Sequence, residues 1–226
     1  MLSISAADAW RSTHPGAGIG LLELTGVENP PASPRLDERK RETEGRLRER
    51  YRGYNRQDFL LLPVMAAYER YYRRFNKTYH VLLQLESLVL KGKNLPNVSP
   101  LVDANFMAEV ETLVLTAGHD AAKLCGPVVM DVARAGDQFT QMNGSAKAVL
   151  AGDMIMRDAQ GVCCSILYGQ DERSPISAGT AHVLYVSYAP PGVPAETVEA
   201  HLRSIEENIR LFSPAAVVER CQYLSA

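Results

Sequence analysis

The sequence predicts an α+β protein, a mostly antiparallel sheet flanked by helices, with an N-terminal helical extension. Three observations predict it. First, residues 128–132, 138–142, 153–158, 162–168 and 181–188 are short, rich in apolar or β-branched residues, and separated by turn formers. Second, helix-prone stretches precede them and an amphipathic stretch, 194–211, follows. Third, the resulting order of helices, strands and helices lacks the regular alternation of a parallel βαβ sheet. On this pattern the 226 residues divide into a strand and helical extension over 1–75 and a main domain over 76–226.

Taken in order, residues 19–27 (IGLLELTGV) read as a strand that Pro30 and Pro31 close off. Residues 32–56 are charged, helix-prone and poor in apolar anchors, which fits a surface helix free to move. In 59–74, Leu61, Met65, Tyr68 and Tyr72 share one helical stripe. Tyr68, Tyr71 and Tyr72 are interleaved there with Arg70, Arg73 and Arg74. Rings beside guanidinium groups suit stacking on bases and neutralising phosphates. The same spacing suits tyrosines facing a core while arginines cover its rim. Residues 79–91 read as a helix that Gly92 stops, and Lys91 and Lys93 add two further cations.

The stretch 92–120 anchors the reading. Ser99 is a natural N-cap, and Pro100 fits the first helical position, where a missing N–H costs nothing. Val102, Phe106, Val110 and Leu113 form one apolar stripe, with Asp103, Asn105, Glu109 and Glu111 off it. Gly118 is expected to end this helix in a left-handed conformation. That would present His119 and Asp120 on a fixed loop, where binding and chemistry concentrate. A short helical piece is expected at 120–125, a hairpin turn at 158–161, and further turns at 135–137 and Asn143-Gly144. In the loop 168–175, Gly169 permits a sharp turn or close approach to a ligand, with Gln170, Asp171 and Arg173 projecting from the sheet end. The helix 194–211 carries the stripe Val198, Leu202, Ile205 and Ile209, Ser213-Pro214 breaks it, and a last short helix is expected over 215–224.

Apolar residues make up 46% and charged residues 22%, the balance of a soluble globular chain. The net charge of −2 hides a basic segment: residues 35–77 hold 13 Lys and Arg against 7 Asp and Glu. Such a segment points either to a polyanionic partner or to a solvated helix face laced with opposite charges. No apolar run reaches the roughly 18 residues a membrane helix needs, so no membrane association is expected. The opening residues lack the basic flank and apolar core of a secretory signal. Cys125, Cys163, Cys164 and Cys221 form no C-x-x-C pair and are expected to be reduced thiols of a cytoplasmic protein. No Cys/His spacing suits zinc, and no phosphate loop, dinucleotide fingerprint, H-E-x-x-H or G-x-S-x-G is present, so no metal or cofactor is expected.

Six phrases, in order, carry a family resemblance: GKNLPNVSPLVDANF (92–106), GHD (118–120), GDQFTQMNGS (136–145), AGDMIMRDAQG (151–161), ILYGQD (166–171) and TAHVLYVSYAP (180–190). Over roughly residues 80–190 the chain resembles the B3/B4 domain, the tRNA-editing module of the phenylalanyl-tRNA synthetase beta subunit, in its free-standing form. The resemblance implies a pocket that hydrolyses a mischarged aminoacyl-tRNA ester, with aminoacylated tRNA as partner and no capacity to charge tRNA from this chain alone. It places Asn105, His119 and Asp120 as catalytic candidates. Gly169, Gln170, Asp171, Asn143 and Thr180 become substrate-binding candidates; separately from the resemblance, the basic tyrosine-rich segment and the lysines near Gly92 supply an RNA-binding set of Arg70, Arg73, Arg74, Lys91 and Lys93. Two departures stand out. Val186 occupies the position of the family's acidic residue, which recognises a tyrosine hydroxyl. The family's two-glycine turn is reduced to Gly169 followed by Gln170-Asp171. A non-catalytic RNA-binding module and an amino-acid-like small-molecule binder are the alternatives.

Overall fold

The strand expected near residues 19–27 forms as β2, Gly18–Thr25, and it sits inside a sheet rather than outside the domain. The computed structural model describes residues 1–226. β2 pairs antiparallel on one side with β10, His182–Ala189, and on the other with β11, Val217–Ser225. β10 pairs antiparallel with β3, Thr116–Asp120, giving the order β11-β2-β10-β3. A second sheet runs β1-β4-β7-β8-β9, from Ile4–Ala6, Val128–Val132, Met154–Asp158, Gly161–Ser165 and Gly169–Gln170. Its β1–β4 pair is parallel and the rest are antiparallel. β5, Gln138–Thr140, and β6, Ala146–Ala148, form a separate hairpin. The architecture is α+β with antiparallel sheets flanked by seven helices.

The helices are α1 (Asp8–Thr13), α2 (Pro34–Arg50), α3 (Arg56–Leu60), α4 (Pro63–Arg73), α5 (His80–Val89), α6 (Pro100–Thr112) and α7 (Ala195–Arg210). Alternation of side chains along β2 divides the core. Ile19 and Leu21 join Leu184, Val186 and Tyr188 of β10 in a large cluster with Met130, Met156, Tyr68 and Tyr72. Leu22 and Leu24 join Val183 and Tyr185 on the other face, under Leu101, Ala104 and Ala108 of α6 and Leu202, Ile205 and Ile209 of α7.

Several expectations are corrected. The division at residue 75 does not fall at a break in the fold, because β1, β2 and α4 build both sheets and the core. The helix expected at 32–56 is docked: Leu36, Lys40, Thr43, Glu44 and Leu47 are buried. The helix expected over 59–74 is two helices, divided before Pro63, and Leu61 is 80% exposed instead of facing the core. α6 stops at Thr112, with the left-handed residue at Leu113 (φ +66°) instead of Gly118. His119 and Asp120 therefore lie on a buried strand, not on a loop. The segment expected as a last helix is strand β11. The stripe of α7 and the turn joining β7 to β8 form as expected. No helix is long and apolar enough to cross a membrane.

Candidate functional site

α6 is buried almost all round, and this inverts the expected polarity of its faces. Val102 and Phe106 are only half-buried, whereas Asp103, Asn105 and Glu109 are buried. Each buried polar group meets a partner brought from elsewhere. Asp103 Oδ2 accepts from Lys40 Nζ at 2.6 Å and its Oδ1 accepts from Val98 N at 3.0 Å. Asn105 Nδ2 donates to the Thr116 carbonyl at 3.3 Å. Glu109 Oε1 accepts from Thr116 N at 2.8 Å. The last two bonds clamp α6 against the edge strand β3.

Between α5 and α6 on one side and the sheet edges β3 and β9 on the other lies a cavity of about 340 Å³. Apolar groups supply much of its wall, among them Val102, Phe106, Leu115, Ile176 and Tyr185. His80, Gln84, Asn105, Glu109, Thr116 and Gln170 supply its polar points. Val98 and Met142, 62% and 63% exposed, also line it, so two solvated apolar side chains stand at its rim. Asn105 Oδ1 and Gln84 Oε1 are buried and have no hydrogen-bond partner. Burial raises Glu109 to about 8, against the opposing pull of Thr116 N–H and the Gln84 side chain, so its carboxyl is mostly protonated at neutral pH. Gly118 lines the cavity at its closest packing: a Cβ there would lie 2.8 Å from Ile176 Cδ1 and 3.0 Å from Tyr185 Cε1. Gly169 has open space around it, and its φ of +82° is what requires glycine.

Of the candidate residues, Asn105, Gly169 and Gln170 line this cavity together. His119 and Asp120 do not, which corrects their expected position. His119 is fully buried, and its Nδ1 pairs with Ser174 Oγ at 2.8 Å. Burial, with help from Arg173, lowers its pKa to about 4 despite Asp171 and Asp158 nearby. Ser174 Oγ donates to Asp171 Oδ1 at 2.8 Å, and Asp171 Oδ2 accepts from Arg173 Nε at 2.6 Å. Asp120 N donates to the Ser174 carbonyl, and Asp120 Oδ2 accepts from Thr180 Oγ1 at 2.9 Å. Thus His119, Asp120, Asp171 and Thr180 form one polar latch. It holds the loop that contributes Pro175 and Ile176 to the cavity wall. Ser174 is no nucleophile here, because it is fully buried and its bonds run within the latch.

Asn143 is exposed at the β5–β6 hairpin tip, where its side chain accepts from Ser145 N. Its neighbour Met142, not Asn143, reaches the cavity. Val186 is buried in the core and does not line the cavity; Tyr185, one residue earlier, does. Tyr68, Tyr71 and Tyr72 face the core, with hydroxyls donating to Tyr188 O, Asp153 Oδ1 and Ile166 O. Arg70, Arg73 and Arg74 are exposed, as are Lys91 and Lys93. The arginines lie on α4 and its C-terminal cap, and the two lysines follow the end of α5. Sequence reasoning missed Lys77 and Lys147, whose ammonium groups lie 5.4 and 4.4 Å from the ring centroid of Tyr168, next to Gly169. It also missed Glu109 and Gln84. Glu109 was legible in principle, one turn beyond Asn105 on the same helix face. Gln84 comes from another helix and gives no local signal.

Residues 64–210 match the model of the B3/4 domain family. A solved structure, an N-terminal fragment of the phenylalanyl-tRNA synthetase beta subunit from Pyrococcus horikoshii, is similar at 9% identity with a TM-score of 0.46. That similarity covers 93% of this chain and 48% of the other, so the chain spans about half the length of that structure. No curated protein matches the sequence. Because the family match runs through well over half of its residues, the chain belongs to the B3/4 domain family.

Proposed function

We propose that the cavity receives the aminoacyl end of a mischarged tRNA and that the protein hydrolyses the ester there, acting in trans. The observation that carries this reading is the pair of buried, unpartnered amide oxygens, Asn105 Oδ1 and Gln84 Oε1, in a largely apolar hollow of about 340 Å³. Unsatisfied buried acceptors are costly, so a site that keeps them suits a ligand that brings donors. A free α-amine beside an apolar side chain is such a ligand, and the volume is at the small end of ligand pockets. Thr116, the only hydroxyl among the polar lining groups besides Tyr185, is tied to Ser187 and His201 at 2.7 and 2.5 Å. Hydrolysis would then proceed by a positioned water, which suffices for an activated ester once the reactants are oriented. The Lys77–Tyr168–Lys147 group beside Gly169 offers cation and ring surface to a nucleic-acid end at the mouth. The same reading carries a cytoplasmic location, where aminoacyl-tRNA is made and used.

The test is a panel of mischarged tRNAs. Deacylation of at least one above background, lost in Asn105→Ala, supports the reading; background rates across the panel end it. A second reading, an amino-acid-like small-molecule binder without RNA, draws on the cavity itself, whose volume suits a small ligand and whose wall holds no lysine or arginine. Salt-dependent tRNA binding that weakens in Arg70→Ala, Arg73→Ala and Arg74→Ala, or in Lys91→Ala and Lys93→Ala, excludes that second reading.

A further inference from the structure

Glu109 takes no part in the proposed hydrolysis, yet its position is unusual. It lies one helical turn beyond Asn105 on α6, in the wall of the same cavity, with Gln84 opposite on α5. One carboxyl oxygen is held by Thr116 N–H. No lysine or arginine lines the cavity. The titratable groups around the carboxyl are Tyr68 and Tyr72 from α4, Tyr79 and His80 at the start of α5, Tyr185 from β10, and His201 from α7, which reaches it through Thr116. All are neutral at pH 7, since burial raises the phenols and lowers both imidazoles. The wall thus contains an acid without a counter-ion, against the Gln84 side chain, and beside it two amide oxygens to which no N–H donates.

We propose that Glu109, with Asn105 Oδ1 and Gln84 Oε1, is the seat of a ligand's primary ammonium group, the carboxylate pairing with the charge that arrives. The inference rests on the cavity being an aminoacyl site and deepens it. The balance is simple. A protonated carboxyl and an ammonium give a carboxylate–ammonium pair, and one proton passes to solvent. The three N–H donors of the ammonium match three acceptors, so the amine satisfies oxygens that an empty cavity leaves bare. An ammonium brings the positive charge that ionises the acid, whereas a hydroxyl brings none. The site therefore selects ligands with a free cationic amine over those with a hydroxyl or a blocked amine at the same position. Below the acid's titration range, affinity rises with pH by up to about tenfold per unit, because each bound amine displaces one proton.

Calorimetric titration of the intact protein with amino alcohols of apolar amino acids (leucinol, methioninol, phenylalaninol) tests this at pH 7. Parallel runs in phosphate and Tris buffer report protons released. The expected result is binding of at least one amino alcohol with close to one proton released, and no release with the matching diol. Glu109→Gln keeps an oxygen for Thr116 N–H and should fold. It is expected to bind the amine about tenfold or more weakly, with no release. In the wild type, the protonated carboxyl's infrared C=O band should vanish on amine binding, a readout that does not depend on the variant folding. Absence of binding at millimolar amine, binding without proton release, or a C=O band unchanged by the amine overturns the inference. Its failure is separable from that of the proposed function. Proton-linked amine binding without deacylation would sink the tRNA reading alone. Deacylation unaffected by Glu109→Gln would sink this inference alone.

Discussion

Asn105 and His119 are both buried, and each has a ring or amide atom without a partner, yet they face different things. Asn105 Oδ1 borders the cavity, whereas His119 Nε2 lies in packed interior behind β3. Substitution should separate them. His119→Ala removes a buried ring and the bond that holds Ser174, so a cost of roughly 2–4 kcal/mol is expected. At about 2–4 °C per kcal/mol for a chain of this size, the melting temperature should fall by several degrees or more. Deacylation measured well below that temperature should stay within about threefold of wild type, under 1 kcal/mol of barrier. Asn105→Ala should show the opposite balance. It removes an unsatisfied oxygen but also the bond to the Thr116 carbonyl, so a cost of about 1–2 kcal/mol is expected, while deacylation measured well below the melting temperature drops about tenfold or more. A melt and a rate for each variant check both expectations. An His119→Ala protein with wild-type stability and no activity would return the imidazole to the reacting site.

At the scale of elements, the rim of the cavity depends on how α2 grips the loop before α6. Lys40 Nζ is fully buried and donates to Pro96 O at 3.1 Å, Asn97 Oδ1 at 2.5 Å and Asp103 Oδ2 at 2.6 Å. Lys40→Ala leaves Asp103 buried and unpaired, a loss of about 3–5 kcal/mol. Lys40→Met with Asp103→Leu should cost clearly less, because no uncompensated charge remains. Denaturant melts of the two proteins measure the difference, and hydrogen exchange at Leu95 and Val98 should rise in Lys40→Ala. This grip also explains what was and was not legible in the sequence. The stripe of α7, the β7–β8 hairpin and the central strands were legible because local periodicity and turn chemistry agree with the fold. α6 was misread because pattern reasoning sends polar residues outward, whereas Asp103 is satisfied inside by Lys40 from distant sequence and Glu109 by Thr116 on the strand that follows the helix. Gly118 resembled a helix stop, but pairing with Tyr185 of β10 makes it part of a strand. β11 was misread because a bulge between Val218 and Arg220 breaks the alternation, and the edge of β2 that recruits it lies at the far end of the chain. Asn105, Gly169 and Gln170 were legible as members of one site. The loop latch behind them was not, since only the folded chain shows which way a strand residue faces.

For the whole molecule, buried titratable groups set a dependence of stability on pH whose two limbs have different owners. Burial lowers His14 and His119 to about 4 and His201 to about 3. Their unfolded values are near 6.5, so the unfolded chain binds more protons as pH falls below 6.5, and stability is lost toward pH 4. Glu109 and Asp153 act in the opposite sense. Burial raises them to about 8 and about 7, so each stays protonated in the fold while the unfolded chain ionises near 4. Their contribution is complete below those unfolded values and declines as pH rises toward 7 for Asp153 and 8 for Glu109. Between about pH 4.5 and 6.5 these imidazoles, joined by His80, which burial also lowers, outweigh two carboxyls, and stability rises; above 6.5 the carboxyls dominate, and it falls. The expected maximum therefore lies near pH 6.5. Urea melts from about pH 4 to 9 should trace this curve. Glu109→Gln should steepen the acid limb, because the imidazoles then face a single carboxyl, and end most of the decline above pH 7, since only the Asp153 share persists. A saturating amine ligand should do the same by another route, ionising Glu109 against a partner instead of removing it, and so make the protein's affinity for amines readable as a flattening of its alkaline limb.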